Sequence, residues 1–239
     1  MSGIGLVSIL IPTYNEAENI ARLLERIKQA LADTAIQYEI LVIDDSSLDK
    51  TPEIAEKLLS GQGRVIRRIS NTKSLSLSIL EGIKEAQGDA IVVMDADLSH
   101  PPELIPSFIL ELGSGYDLVI ASRYVKGGGT ENLPLSRKII SRVACSLGRA
   151  ITKIRDNTSG FFCIKKSALQ GIELTPYGFK IGLEVFVKAN FSKFREIPFV
   201  FVSREKGKSK LNIKSILLYL FQVLSLFIYQ KKKGLILAR

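Results

Sequence analysis

The first half of the chain alternates between short apolar runs and amphipathic stretches. Apolar runs that predict β-strands span 6–12, 38–45, 64–69, 90–97 and 116–124. The segments between them place apolar residues at helical spacing, most clearly at Ile20, Leu23, Leu24, Ile27 and Leu31, with Asn15 as the expected helix cap. This alternation of strand and helix predicts an α/β fold whose central sheet is mostly parallel.

The second half is less regular. It contains a glycine-rich loop at 126–134, a predicted helix at 136–151 and a turn that leads into a strand at 156–164. An apolar helix at 181–189 carries Glu184, for which a buried cationic partner is expected, and a last strand follows at 195–202. Neither a repeat nor a low-complexity linker interrupts this pattern, so residues 1–211 are predicted to form one mixed domain.

The last segment, residues 212–239, combines an apolar helix with basic ends. Sixteen residues separate Lys214 from Lys231, which gives about 24 Å of helix and is short for a membrane span. The polar residues within the helix lie close to one stripe: Lys214, Ser215, Gln222, Ser225 and Tyr229. A broad apolar face with flanking lysines favours a helix lying in the membrane interface. A core helix or a dimer interface is the alternative.

The distribution of charge along the chain says more about the partners of the protein than its overall composition does. The chain has 239 residues and a formal net charge of +9, and residues 203–239 hold nine Lys or Arg against one Glu. A basic end of this kind indicates a phosphate-bearing partner, either nucleic acid, an anionic membrane or a phosphorylated substrate. The basic residues flank an apolar helix without interleaved stacking aromatics, which argues against nucleic acid. No GxGxxG follows the first strand, which argues against a nicotinamide enzyme.

Two further features bear on cell compartment. The two cysteines, Cys145 and Cys163, provide no disulfide framework and no metal spacing, which fits a reducing compartment. The first ten residues lack a basic leader, so they are expected to be a strand and not a signal peptide.

Candidate chemistry lies where three predicted strands end, in PTYNE (12–16), DDSSLD (44–49) and DADLSH (95–100). Ligands of parallel sheets bind at the carboxyl ends of the strands. Because the predicted strand runs through Asp97, Asp95 and Asp97 are expected to face the same side and to offer oxygen ligands to a hard cation such as Mg²⁺ or Mn²⁺. His100, the only histidine, is expected to form a hydrogen bond within the turn and not to bind a metal.

These motifs resemble the inverting GT-A glycosyltransferases of the family-2 type. SRY (122–124), PLSR (134–137), TSGF (158–161) and REKGKSKL (204–211) are similar to the dolichyl-phosphate mannosyltransferases within that family. The resemblance covers nearly the whole chain in order. It implies a GT-A fold with a Rossmann-like nucleotide half, and inverting transfer of mannose from GDP-mannose to dolichyl or another polyprenyl phosphate.

The resemblance also implies roles for individual residues. Asp97 would be the main metal ligand, with Asp95 beside it and Ser99 where the family has a glutamine. The acceptor phosphate would be held by Arg123, Arg137 and Ser141, and Asp97, Arg123 and Arg137 would carry catalysis. The residues expected at the nucleotide sugar are Pro12, Tyr14, Glu16, Asp45, Asp95 and Ala96, with Arg204 and Lys210 closing over its diphosphate.

The same resemblance places the protein peripherally on the cytosolic face of a membrane, with membrane partner subunits where a relative needs them. Two alternatives stay open. The Ser74–Ser76 turn departs from the family's glycine-rich turn, which keeps a UDP-sugar donor such as UDP-glucose in view. Ser99 departs from the family's glutamine, which supports a membrane-bound regulatory subunit without activity.

Overall fold

The computed structural model describes residues 4–69, 73–175, 180–202 and 213–234, with the side chains of 213–215 outside this description. Its strands are β1 (Leu6–Thr13), β2 (Gln37–Asp44), β3 (Gly63–Arg67), β4 (Ala90–Val93), β5 (Leu118–Ser122), β6 (Gly129–Glu131), β7 (Phe162–Lys165), β8 (Phe194–Pro198) and β9 (Val200–Val202). Its helices are α1 (Ile20–Ala32), α2 (Thr51–Leu59), α3 (Leu75–Glu85), α4 (Ile105–Gly113), α5 (Leu135–Gly148), α6 (Ile181–Lys188) and α7 (Ile213–Lys232).

A seven-stranded sheet with the order β3-β2-β1-β4-β7-β5-β8 organises the molecule. Strands β1 to β4 pair in parallel, as do β5 and β8, whereas β7 runs antiparallel between β4 and β5. Strands β6 and β9 form a separate parallel pair. The predicted fold class is therefore confirmed: an α/β GT-A-like fold with a mostly parallel central sheet.

Helices cover both faces of the sheet because every central strand is apolar on both sides. Leu23 and Ile27 of α1 pack with Phe108 of α4 over one face, and the side chains of β1, β2 and β4 complete that cluster. Ile79 of α3 and Phe186 of α6 pack over the other face. In α6, Glu184 is buried and pairs with Lys188 at 2.6 Å, which confirms the expected cationic partner.

Three local predictions were wrong. Asn15 does not cap α1, which begins at Ile20 with Asn19 at its cap, because the Asn15 carboxamide accepts the Leu48 amide instead (2.8 Å). Strand β4 ends at Val93, because the Asp95 amide donates to the His100 ring (3.0 Å) and leaves the sheet ladder. The predicted strand at 195–202 is two strands in different sheets, interrupted at Phe199.

Helix α7 packs through a face that contains Tyr219, Gln222, Leu226 and Gln230, and of the predicted polar stripe, among the side chains that the structure describes, only Gln222 is buried there. The Gln222 and Gln230 side chains donate to the carbonyls of Lys180 (3.1 Å) and Ile151 (2.9 Å), and Tyr219 donates to Ala144 O (2.7 Å). The exposed outer face of α7, defined here as the outward face, comprises Ile216, Leu217, Leu218, Leu220, Phe221, Leu224, Phe227 and Ile228. None of the described helices meets the length and apolarity required to cross a membrane.

Candidate functional site

The loops that follow β1 and β2 interlock at the carboxyl edge of the sheet. Asn15 donates its amide to Ser47 Oγ (2.8 Å), and Ala17 donates its amide to the Asp49 carboxylate (3.1 Å). Asp44, at the end of β2, accepts from Thr13 and from the amide and hydroxyl of Ser47. These bonds fix the two loops against each other. Tyr14, Glu16 and Asp45 therefore lie together at the carboxyl ends of β1 and β2.

Asp45 lies in a basic pocket between these loops and α3. It is 5% exposed and accepts from Arg68 Nη1 (2.5 Å) and from the Ser74 amide (2.6 Å). Ser74 also caps α3 by accepting the Leu77 amide. Tyr14 stands nearby with the Lys73 ammonium 3.9 Å from its ring centroid. The Ser74–Ser76 turn thus holds the Asp45 carboxylate directly.

Asp95 and Asp97 belong to a tight turn after β4, not to the strand itself. Asp97 is 8% exposed, and its Oδ1 accepts both the amide (3.1 Å) and the hydroxyl (2.6 Å) of Ser99. The Asp95 side chain is 34% exposed. Leu98, which follows Asp97, has φ +63°, a left-handed conformation that a leucine adopts at a cost in strain. The prediction that strand alternation aligns the two carboxylates was wrong; the turn positions them.

His100 is a structural member of this turn, as predicted. The ring is buried, stacks on Phe161 at 5.1 Å between centroids, and accepts the Asp95 amide at Nδ1. Burial lowers the pKa of His100, so the ring is neutral at pH 7 and its proton resides on Nε2. Nε2 lies 3.9 Å from the Asp95 carboxylate. His100 therefore fixes the Asp95 backbone through its Nδ1 and lies next to the Asp95 carboxylate.

Arg123 follows β5 and forms a buried ion pair with Asp156. Its Nε and Nη2 donate to the two Asp156 oxygens at 2.7 and 2.6 Å, and Nη2 also donates to Thr158 Oγ1 (2.9 Å). Burial by itself raises the pKa of Asp156, but the hydrogen bonds and the charge of Arg123 outweigh it and hold that pKa below its usual value. The pair therefore stays ionised and neutral as a unit.

Lys180 brings a further basic side chain to this side of the site. Its ammonium donates to Thr158 O (2.9 Å). Burial, followed by repulsion from Arg123, lowers the pKa of Lys180. Thr158 thus accepts hydrogen bonds from both Arg123 and Lys180, two residues before Gly160. Gly160 lies against the acidic turn, since a Cβ there would stand 3.7 Å from Asp95 Oδ2.

The two remaining residues predicted at the acceptor lie on α5. Ser141 accepts a hydrogen bond from the Tyr124 hydroxyl (2.8 Å), which ties α5 to the end of β5. Arg137 is half-buried one turn earlier, and no ion pair of its guanidinium occurs within the described parts of the chain. Arg137 and Ser141 are four residues apart and thus share one side of the helix.

The structure brings most of the predicted residues to one edge of the sheet. Pro12 and Ala96 are buried there, and Tyr14, Glu16, Asp45, Asp95, Asp97 and Ser99 surround them. Arg204 and Lys210 lie outside the described residues. Sequence reasoning missed Arg68, Asp156 and Lys180, although Asp156 stands two residues before TSGF and its charge within a turn was the available signal.

The acidic turn fits a hard divalent cation. Asp97 is oriented by Ser99, and Asp95 presents its carboxylate outward, so both offer oxygen atoms of the kind that Mg²⁺ and Mn²⁺ prefer. No group of three or more His, Cys, Asp or Glu residues that could hold a metal occurs among residues 4–69, 73–175, 180–202 and 213–234. Two carboxylates with substrate phosphates are a common Mg²⁺ arrangement in proteins.

Comparison with known proteins gives consistent results. The profile of "Glycosyl transferase family 2" matches residues 8–172. A dolichol-phosphate mannosyltransferase of Pyrococcus furiosus is 49% identical over 218 residues, which are 90% of this chain and 61% of that protein. The chain thus spans about three fifths of that relative. The enzyme of the same name from Saccharomyces cerevisiae is 34% identical over 93% of this chain and 87% of its own length.

Among solved structures, glucosyl-3-phosphoglycerate synthase from Mycobacterium tuberculosis, in complex with Mn²⁺, UDP-glucose and glycerol 3-phosphate, superimposes with a TM-score of 0.67. The alignment covers 96% of this chain and 80% of that one at 18% identity. At this identity the likeness concerns the fold.

Proposed function

The chain belongs to glycosyl transferase family 2, and from that premise we propose that it transfers mannose from GDP-mannose to dolichyl or another polyprenyl phosphate, with inversion. The relatives named dolichol-phosphate mannosyltransferase support this choice of sugar and acceptor. A UDP-sugar donor is the alternative, and a transfer assay with both donors distinguishes the two.

One observation carries the proposal: the segment 158–160 brings the acidic turn and basic side chains together at the carboxyl edge of the sheet. Gly160 lies beside Asp95, and two residues earlier Thr158 accepts hydrogen bonds from Arg123 and Lys180. A transferase that joins two anionic substrates needs this division, because the donor diphosphate calls for a cation and the acceptor phosphate calls for basic side chains.

On the donor side, Asp97 and Asp95 would hold Mg²⁺ or Mn²⁺, with Ser99 at the edge of the shell. The cation would neutralise the diphosphate that leaves. Asp45, Tyr14 and Glu16 would contact the nucleoside, with Pro12 and Ala96 shaping the floor. Arg204 and Lys210 would approach the diphosphate from the segment that follows β9.

On the acceptor side, a phosphate oxygen attacks the anomeric carbon from the face opposite the diphosphate. The new C–O bond forms as the bond to the diphosphate breaks, and GDP leaves with the electron pair. The acceptor phosphate is already anionic near neutral pH, so no side chain has to remove a proton. Arg123, Arg137 and Ser141 would hold it in line, and positioning with charge neutralisation would supply most of the rate.

The exposed apolar surface supports attachment to a membrane, the site of a polyprenyl acceptor. The outward face of α7 lies beside basic residues such as Lys231 and Lys232, the arrangement of a helix that rests in the headgroup region. We infer peripheral association with the cytosolic face, through a GT-A domain of residues 1–211 and a membrane-interface segment of residues 212–239. Membrane partner subunits would join there if the reaction needs them.

A transfer assay tests the proposal. Purified protein, Mg²⁺ or Mn²⁺ and a short-chain polyprenyl phosphate in detergent would receive labelled GDP-mannose or UDP-glucose in parallel, and label in the lipid extract would be counted. Label from GDP-mannose alone is expected. Label from UDP-glucose alone would show that the donor is a UDP-sugar. If neither donor gives label although nucleotide still binds, the protein would be the inactive regulatory subunit.

A further inference from the structure

A second basic site lies along α5, next to Tyr124. A pocket of about 230 Å³ is lined by Tyr124, Arg142, Cys145, Arg149 and Arg155. Arg142 and Arg149 are seven residues apart, about two helical turns, so they lie on the same side of the helix. Their guanidinium groups and that of Arg155 are exposed, and no ion pair engages them within the described parts of the chain. Three arginines around one pocket constitute a site for an anion with phosphate geometry.

The loop that carries Arg155 is fixed against α5. The Glu196 carboxylate accepts the amides of Arg155 and Asp156, both at 2.9 Å. Asn157 donates to Cys145 O (2.9 Å), and its carboxamide fills the space beside Gly148, where a Cβ would approach Asn157 Oδ1 to 2.2 Å. Arg149 and Arg155 are therefore presented by a rigid backbone and not by a mobile loop.

The pocket adjoins Ser141 through Tyr124, whose hydroxyl donates to Ser141 Oγ (2.8 Å), but its arginines differ from those assigned to the acceptor. Arg137 precedes Arg149 by twelve residues, about 18 Å along the helix axis, so one phosphate cannot bind both. Arg137 and Ser141 also lie on a different side of α5 from Arg142. The Arg123 guanidinium already pairs with Asp156, behind the Cys145 thiol. Both carboxylates near the pocket, Asp156 and Glu196, are thus engaged.

An apolar ridge runs along α5 next to these arginines. Leu135, Ile139, Val143 and Leu147 recur every four residues, and all are more than 40% exposed. A helix that shows solvent an apolar ridge bordered by arginines is arranged to lie in the headgroup region of a bilayer. The pocket then stands at the depth of the lipid phosphates, because basic side chains beside inserted apolar residues remain at that level.

We propose that this pocket binds the phosphate of an anionic bilayer lipid that is not a substrate, and so sets the position of α5 on the membrane. This inference rests on the membrane attachment proposed above, but it does not depend on the identity of the donor. It assigns Arg142, Arg149 and Arg155 to the bilayer, and leaves Arg123 and Arg137 to the acceptor.

The test measures sedimentation of the purified full chain with vesicles of a zwitterionic lipid, with or without an anionic phospholipid. The variant is Arg142→Gln/Arg149→Gln/Arg155→Gln. Its matched control is Arg22→Gln/Lys57→Gln/Lys193→Gln, which removes the same charge from exposed positions outside α5 and α7. We expect the pocket variant to lose about a hundredfold in affinity for anionic vesicles, since each basic residue at such a surface contributes roughly a factor of five.

Further arms separate the possible ligands. Transfer to a short-chain acceptor in detergent should have the same KM for the acceptor in the pocket variant as in the control. An increased KM would overturn the proposal by placing the pocket in the acceptor site, and vesicle affinity equal to that of the control would overturn it as well. Soluble glycerol phosphate should not displace the protein from vesicles, and displacement would show that the pocket serves a free phosphorylated metabolite.

The outcome is independent of the transferase proposal. If the wild type transfers no label but the pocket variant alone loses vesicle binding, the pocket proposal stands and the transferase proposal fails. If the wild type transfers label in detergent but the pocket variant binds vesicles as well as the control does, the transferase proposal stands and the pocket proposal fails.

Discussion

At the scale of single residues, the site is defined by carboxylates whose partners are fixed. Asp97 accepts two hydrogen bonds from Ser99, Asp45 accepts from Arg68, and Asp156 is bidentate with Arg123. The sequence predicts the acidic positions because they follow apolar strands. It does not predict Arg68 or Asp156, because a charged residue outside a recognised motif gives no sign of a partner more than twenty positions away.

Asp97→Asn should abolish transfer and leave the fold intact. The amide has nearly the same shape but no charge, and loss of one such electrostatic contact lowers kcat by about a hundredfold or more. Steady-state kinetics and thermal unfolding would measure the two effects. Asp33→Asn, the same change at an exposed position at the end of α1, serves as control and should retain activity. Activity of Asp97→Asn close to the control would contradict the site.

Asp117 provides a pH-dependent contribution to stability. Burial raises its pKa, but hydrogen bonds from the Ser192 amide, Lys165, the Ser192 hydroxyl and the Lys193 amide outweigh burial and lower the pKa to about 2. The folded state holds this proton less tightly than the unfolded state. Its stabilising effect is therefore present above about pH 4, and is lost as the pH falls towards 2.

The corresponding variant, Asp117→Asn, should lose about 1–2 kcal/mol of unfolding free energy at neutral pH, after allowance for solvent screening. It should lose little at pH 2, where about half of the wild-type carboxyl is protonated and most of its stabilising effect is gone. Urea unfolding at several pH values would show the two curves converging on the acid side. Parallel curves down to pH 2 would contradict the assignment.

At the scale of elements, strand and helix positions follow from the apolar pattern, whereas irregular segments do not. Helix α2 lies between two predicted strands, as the alternation requires, and β1 matches its predicted bounds of 6–12 within one residue. Strand β4 is shorter than its apolar run suggests, because the His100 ring takes the Asp95 amide. Strand β6 has three residues and was missed, since so short a run carries no periodicity.

Helix α5 depends on a glycine at its last position. Gly148→Ala should destabilise the protein by about 1–3 kcal/mol, because the methyl group would displace the buried Asn157 carboxamide. Gly113→Ala, at the last position of α4 with open space around it, is the matched control and should be nearly neutral. Chemical denaturation would measure the unfolding free energy of both variants. Equal values would show that the 155–157 loop moves to make room for the methyl group.

At the scale of the whole molecule, the exposed apolar side chains of α7 lie on the side of the helix that faces away from the protein. Helix α7 turns its glutamines and Tyr219 towards the protein and eight large apolar side chains away from it. The sequence predicts the two faces of this helix, but not which of them meets the rest of the chain. Periodicity separates faces, whereas docking depends on carbonyls such as Lys180 O and Ile151 O, which long-range packing brings into place.

Substitution on the outward face should weaken membrane binding without affecting stability. Leu217→Gln, at a side chain 61% exposed, should reduce affinity for anionic vesicles about tenfold, as expected for one leucine withdrawn from the interface. Leu110→Gln on α4, at a residue 71% exposed, is the matched control. Equal vesicle affinity of the two variants would exclude the outward face as the membrane contact.

The antiparallel strand β7 has a consequence for the order in which the protein can fold. During synthesis β1 to β4 emerge first and can pair in parallel, but the open edge of β4 receives its partner only with Phe162–Lys165. That segment follows about 70 residues later, roughly 4–14 s at 5–20 residues per second. For that interval the nascent chain presents an apolar strand edge, and such an edge is a template for misassociation. The hydrogen bonds that β7 forms with β4 and β5 therefore join the two parts of the sheet only after β1 to β5 have been synthesised. Completion of the fold depends on the synthesis of β7.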